Sequence, residues 1–185
     1  LRKIDSMDNI SFSFSALAGS PEGSIFIDDI KFIEKSSALM LDSFDSNLSK
    51  NSLRGSVWTF AGGGAVINKF YDLNNRLGGS GYGQKISYSG IASSNYAFWI
   101  SNLGNIDLST TADTLSFYIK GETGDEQPNV YLYDGSLRKL VNIENYITVT
   151  TSWQKILIPL ADFTSQGINL TKLRELQFVF EGQAM

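Results

Sequence analysis

The chain contains neither histidine nor cysteine, and that absence decides much of what its side chains can do. Without an imidazole there is no Ser-His-Asp relay, no histidine general base and no histidine-bound zinc. Without a thiol there is no thiolate nucleophile, no disulfide and no cysteine metal site. A metal would have to be held by oxygen alone, which points to calcium. Paired carboxylates hydrolyse glycosides without histidine. Here Glu122, Asp125, Glu126 and Glu144 all fall near loops, and nothing around them singles out a carboxyl kept protonated. Asp125-Glu126 reads as the solvated tip of the Gly121–Gln127 loop. The run Gly62-Gly63-Gly64 lacks the Lys-Ser or Lys-Thr ending of a phosphate-binding loop and reads as a turn. The expectation is a protein that is not an enzyme.

Recognition by stacking is the chemistry that remains. Surfaces that bind sugars set aromatic rings against apolar C–H faces and place polar groups beside them for the hydroxyls. Along Val130-Tyr131-Leu132-Tyr133, strand alternation puts Val130 and Leu132 on one face and both tyrosines on the other. In the same way Leu115, Phe117 and Ile119 form an apolar face, leaving Tyr118 and Lys120 opposite. If the two strands are neighbours, Tyr118, Tyr131 and Tyr133 share one surface, with Tyr96, Trp99 and Arg138 as rim contributors. Trp153 begins a strand and reads as core packing, whereas Trp58 fits either role.

These side chains need strands to position them. A chain of 185 residues can bury a real core in one large domain or two small ones. Period-two alternation rich in β-branched and aromatic residues predicts strands at Ile10–Phe14, Ser24–Phe32, Val57–Thr59, Lys85–Tyr88, Tyr96–Ile100, Thr114–Lys120, Asn129–Tyr133, Tyr146–Thr150, Gln154–Pro159 and Glu175–Phe180. Turn clusters such as Gly78–Gly83 and Asp134-Gly135 separate them, and only Leu160–Phe163 and Leu170–Leu173 suggest single helical turns. So many short strands at this spacing predict an all-β sandwich or jelly roll. A net charge of −4 without a basic cluster argues against nucleic acid and anionic membranes as partners. No apolar run approaches a membrane span, so membrane insertion is not expected.

One element occurs twice. Leu1-Arg2-Lys3-Ile4, a short gap and Ile10-Ser11-Phe12-Ser13-Phe14 open the chain, while Leu170-Thr171-Lys172-Leu173, a short gap and Leu176-Gln177-Phe178-Val179-Phe180 close it, roughly 169 positions later. Such spacing reads as one repeat of a tandem array cut out of phase. A chain opening on Leu1 reads as an excerpt from a longer polypeptide.

Gly23-Ser24-Ile25-Phe26-Ile27-Asp28-Asp29-Ile30-Lys31-Phe32 resembles the closing strand of carbohydrate-binding modules with the galactose-binding-like jelly roll, and Leu41-Asp42-Ser43-Phe44-Asp45 resembles their opening strand. The stretches Leu103–Ser109, Asp113–Gly121 and Thr151–Phe163 are similar to the middle strands. The resemblance implies a non-catalytic module that binds a polysaccharide or cell-surface glycan, as a tandem repeat in a larger bacterial extracellular or cell-surface protein. It also implies a structural calcium near the paired termini, where Asp28 and Asp29 on the closing strand would meet Asp42 and Asp45 after the opening one. The order departs from the family, because the closing strand comes first. Residues 1–34 therefore either fold back to complete the sandwich of residues 39–185, as in a permuted chain, or complete a neighbouring copy by strand exchange. The second arrangement suits a structural unit of an extracellular filament, stalk or adhesin, with copies of itself as partners.

Overall fold

Alternation at period two becomes two packed sheets in the computed structural model, which describes residues 10–15, 22–34, 38–92 and 94–181. The strands are β1 (Ile10–Ser15), β2 (Gly23–Glu34), β3 (Ala38–Asp42), β4 (Val57–Gly62), β5 (Val66–Asp72), β6 (Gly83–Ser89), β7 (Tyr96–Ile106), β8 (Ala112–Gly121), β9 (Pro128–Tyr133), β10 (Arg138–Asn142), β11 (Gln154–Pro159) and β12 (Leu173–Glu181). The first sheet runs β10-β9-β1-β12-β7-β4, with further pairings of β9 to β12 and of β1 to β7. The second runs β11-β8-β2-β6-β5, and β3 takes the far part of the β2 edge that β6 leaves free. Two antiparallel sheets face to face make a β-sandwich of the jelly-roll kind.

Inward residues of both sheets fill the space between them. Trp99 from β7 lies against Phe44 and Phe178, with ring centroids 6.3 and 5.6 Å away, and Phe117 from the opposite sheet meets Phe178 at 5.2 Å. Tyr88 packs on Phe180 at 3.8 Å. Each such side chain contributes about 2–3 kcal/mol by leaving water, so this aromatic cluster fixes how the sheets face one another.

The sequence pattern fails at three places. Tyr146–Thr150 forms no ladder; a 3-10 turn at Ile143–Asn145 precedes it, and Ile147 and Val149 dock on the core from an unpaired segment. Its alternation reflects burial, not pairing. Conversely, β5 and β10 form where no strand is predicted, because as sheet edges they carry weak, mixed patterns. The two helical turns appear as α1 (Ala161–Thr164) and a 3-10 turn at Leu170–Lys172. Among the described residues, no helix is long and apolar enough to cross a membrane.

In β2 the register against β8 shifts between Asp28 and Lys31, where Asp29 adopts a left-handed φ of 49°. This bulge breaks the ladder and re-aims the two aspartates. Over the same face of the second sheet lies the loop of residues 73–82. The Leu77 amide donates to Asp28 Oδ2 at 2.8 Å, and Lys120 Nζ donates to Asn75 Oδ1.

Candidate functional site

On the outer face of the first sheet, strand pairing assembles a row of rings. β4 and β7 pair so that Trp58 opposes Ile100, Phe60 opposes Phe98 and Gly62 opposes Tyr96. The alternate residues Ala97 and Trp99 point into the core, so Tyr96 and Phe98 point outward. Phe60 is 54% exposed although it sits mid-strand. Its ring lies 6.0 Å from that of Tyr96 and 6.4 Å from that of Phe98, while Tyr96 and Phe98 are 5.3 Å apart, edge to face. Gly62 is part of this packing: a Cβ there would stand 2.5 Å from the Tyr96 ring.

The row continues on the far side of the sheet. Tyr133 of β9 opposes Arg138 of β10 and Glu175 of β12, and Tyr131 opposes Leu140 and Gln177. The Arg138 guanidinium stands 5.4 Å from the Tyr133 ring centre and 5.8 Å from that of Phe98, and pairs with Glu175 at 3.8 Å. β10 and β7 are not neighbours in the sheet, so the arginine reaches across the strands between them. Tyr133 donates its hydroxyl to the Gly135 carbonyl at 3.0 Å, and Tyr131 donates to the Glu181 carboxylate at 3.3 Å. Both rings are thus held while part of each stays accessible. The surface offers flat apolar faces beside a cation and two carboxylates, a combination that stacks on a sugar ring and bonds its hydroxyls.

Tyr96, Tyr131, Tyr133 and Arg138 therefore lie on one face, joined by Trp58. Two expected members do not join them. Tyr118 belongs to β8 in the second sheet, opposite Asp28 and Lys155, so the sandwich separates it from Tyr131 and Tyr133. Alternation assigns a residue to a face of its strand, not the strand to a sheet. Trp99 is wholly buried, for its parity is that of Ala97. Phe60, Phe98 and Glu175 are additional members, and the same period of two in Trp58/Phe60 and Tyr96/Phe98 signals the first two.

The second sheet's outer face is built differently. The Phe26 ring lies beneath two ammonium groups, Lys85 at 5.2 Å and Lys120 at 4.9 Å, and Lys120 also stands 5.8 Å from Trp153. Glu126, expected at a solvated tip, is buried: its carboxylate accepts the amides of Glu122, Thr123 and Gly124 and holds the loop closed.

Asp28, Asp29, Asp42 and Asp45 divide. Asp28 accepts the amides of Asp29 and Leu77, both at 2.8 Å, and Asp42 accepts that of Phe44 at 2.8 Å. Burial pushes the Asp28 carboxyl up to about 6; the two amide bonds oppose this, and the charges of Asp29 and Asp45 add to it. Burial likewise pushes Asp42 up to about 7; the Phe44 amide and the Lys69 ammonium oppose this, and the charges of Asp28 and Asp45 reinforce it. Asp29 turns aside to Lys31 at 3.5 Å. No three acidic side chains among the described residues converge closely enough to hold a metal by themselves. An ion here would need backbone carbonyls as well.

A family described as carbohydrate binding domain 30 matches residues 51–185. The solved structure of the family 30 carbohydrate-binding module of the cellulosomal cellulase Cel9D-Cel44B of Clostridium thermocellum is similar in fold, with a TM-score of 0.55 and 23% identity over 74% of this chain and 87% of that one. The search of the curated proteins finds no match.

Proposed function

This chain belongs to the carbohydrate binding domain 30 family, and from that premise we propose that it holds its polysaccharide on the outer face of the first sheet. It is a non-catalytic carbohydrate-binding module with a β-sandwich fold. The observation that carries the assignment of the face is the Arg138 guanidinium between Phe98 and Tyr133, with Phe60 and Tyr96 extending the row. A row of rings along a sheet suits an extended chain whose sugars present flat faces, as equatorially linked β-glucans do. The similar module belongs to a cellulase, which supports the same class of ligand. Stacking would supply most of the affinity, and Arg138 and Glu175 would set the register of the hydroxyls.

In this reading the module works outside the cell or on its surface, tethering a larger protein to an insoluble polysaccharide. Calcium, where bound, would take the buried carboxylates of Asp28 and Asp42 and nearby backbone carbonyls as its ligands. It stiffens the strand ends and takes no part in chemistry. Native affinity electrophoresis with soluble β-1,4-glucan, β-1,3-glucan and starch tests the main assignment. The first polymer should retard the wild type, and Phe98→Ala should run unretarded with an unchanged melting temperature. Undiminished retardation of Phe98→Ala would place the ligand elsewhere.

A further inference from the structure

A strand has two hydrogen-bonding edges and therefore two neighbours in its sheet. β12 spends one edge on β9, from Glu175 to Val179, and the other on β7, where Phe180 opposes Ala97. β1 is registered against the same two strands at the same place. Ser11 opposes Tyr131, as Gln177 does, and Phe12 opposes Val130, as Phe178 does. On its other edge, Ile10–Ser13 runs along β7 from Ser101 to Phe98. β1 also keeps step with β12 itself, Ser13 with Val179, Phe14 with Phe180 and Ser15 with Glu181, in the parallel sense.

Strands lie about 4.8 Å apart, so the gap between β7 and β9 holds one chain. β1 and β12 are thus two occupants of a single slot. The sequence agrees independently of the geometry, because this register sets Ile10, Phe12 and Phe14 at the positions of Leu176, Phe178 and Phe180. The repeat noticed in the sequence is a repeat of this slot-filling strand.

The two occupants are unequal. β12 has nine residues and buries Leu173, Leu176, Phe178 and Phe180 completely, whereas β1 has six residues. Longer pairing gives β12 the slot of its own chain. β2 faces no such competition: it lies between β8 and β6. Each chain accordingly carries one slot and two strands made for it. We propose that β1 is a donor strand, which fills the slot between β7 and β9 in a second copy of this sandwich and so joins carbohydrate-binding modules in series. Seven residues connect Ser15 to Gly23. Fully extended they span roughly 25 Å, enough for β1 to enter an adjoining sandwich while β2 stays in its own.

The chain has no cysteine, so introduced thiols are its only ones. Tyr131 faces both occupants and serves as the common reporter. The full-length single variants Ser11→Cys and Tyr131→Cys are mixed under mild oxidation, and the disulfide joining them is identified by peptide mass spectrometry. That bond should form as the main cross-link, rise with protein concentration and fall at least fivefold with excess synthetic peptide of residues 8–17. In the double variant Gln177→Cys/Tyr131→Cys, the bond should close within one chain and leave a monomer. Three results would overturn the proposal. One is the absence of the mixed disulfide while the Gln177 pair closes. Another is Ser11→Cys/Tyr131→Cys closing as a monomer at every concentration. The third is failure of the Gln177 pair to close, which would remove β12 from its slot. None of these readouts depends on a bound sugar, so the strand proposal and the assignment of the binding face stand or fall separately.

Discussion

The two outer faces of the sandwich treat their central rings in opposite ways. On the first sheet, Phe60, Tyr96 and Phe98 lie against one another with Phe60 open to water, and one arginine bridges to Tyr133. On the second, Phe26 is covered by Lys85 and Lys120, and the loop of residues 73–82 bonds down onto Asp28. Phe26, almost wholly buried beneath two ammonium groups, has no face left for a sugar, and the exposed Phe70 lies out on the edge strand β5. Exposed rings beside a few fixed polar groups keep one. The composition of a face therefore says less about binding than what covers its rings. The comparison makes a sharp demand: substitutions on the second sheet should change stability and spare affinity, and those on the first should do the reverse.

The largest effect is expected at the buried carboxylates of the second sheet. Asp28 and Asp42 are only 3% and 7% exposed, and both ionise less readily in the folded chain than in the unfolded one. Between about pH 4 and 7 the folded state therefore holds the extra protons, so stability is highest at the acid end of this window and falls as pH rises through it. For Asp42 the loss is of order 4 kcal/mol at most. Thermal melts in a chelator should show the melting temperature falling from pH 4.5 to 7.5, with the Asp42→Asn variant showing a much shallower slope. Calcium at pH 7.5 should raise the wild type and leave Asp42→Asn nearly unmoved. A melting temperature that climbs across this window would contradict the burial of these charges, and indifference of the wild type to calcium would remove the ion from this site.

Next in size is the loss of a central ring from the first face. Phe98 touches Phe60, Tyr96 and Arg138, so its truncation removes a stacking surface and the platform beneath the guanidinium. Phe98→Ala should weaken β-glucan binding by about 2 kcal/mol or more, roughly 30-fold. Tyr118→Ala, on the opposite sheet, should bind within error of wild type by calorimetry. Equal losses from both would erase the distinction between the faces.

How far this arrangement was legible in the sequence differs by level. Strands with one buried face show themselves, because burial imposes the period of two on residues such as Leu115, Phe117 and Ile119. Edge strands hide: β5 alternates poorly, since its outer positions, Val66 and Phe70, are themselves apolar and exposed. Parity places Tyr131 and Tyr133 together on one face of β9, yet it could not show that β8 and β9, consecutive in the chain, lie in different sheets. That step is made by the connection between them, whose residues carry no periodic signal. Trp99 is a different failure. Its neighbours Phe98 and Ile100 are also large and apolar, so β7 reads as a continuous hydrophobic run in which no residue declares itself outward. Glu126 looked like a loop tip because acidic residues between glycines normally are, and only the three amides converging on it identify its role.

Arg138 should matter less than the rings. Its pair with Glu175 is partly exposed and its contacts with Phe98 and Tyr133 are worth about 0.5–1 kcal/mol each at such a site. Arg138→Ala should weaken binding roughly fivefold to tenfold, and Arg138→Lys should recover only part, because an ammonium lacks the planar fork by which a guanidinium stacks on rings and bonds in two directions. Full recovery by lysine would mean that charge alone is used.

The smallest and most discriminating change leaves every binding side chain in place. Gly62 is a strand residue without a left-handed φ, so alanine suits its backbone. The added methyl would nevertheless stand 2.5 Å from Cζ and 2.6 Å from the hydroxyl of Tyr96, closer than atoms tolerate, and the ring must swing away. The fold loses little, because Tyr96 lies on the outer face and not in the core. Gly62→Ala should therefore melt with the wild type but bind β-glucan a few-fold more weakly, about 0.5–1 kcal/mol. Tyr96→Ala should lose about as much, and the two changes combined should lose little more than either, since both act through one ring. Additive losses would show that Gly62 shapes the face independently of Tyr96. If Gly62→Ala binds like the wild type, Tyr96 lies outside the row, and the sugar track runs from Phe60 through Phe98 to Tyr133.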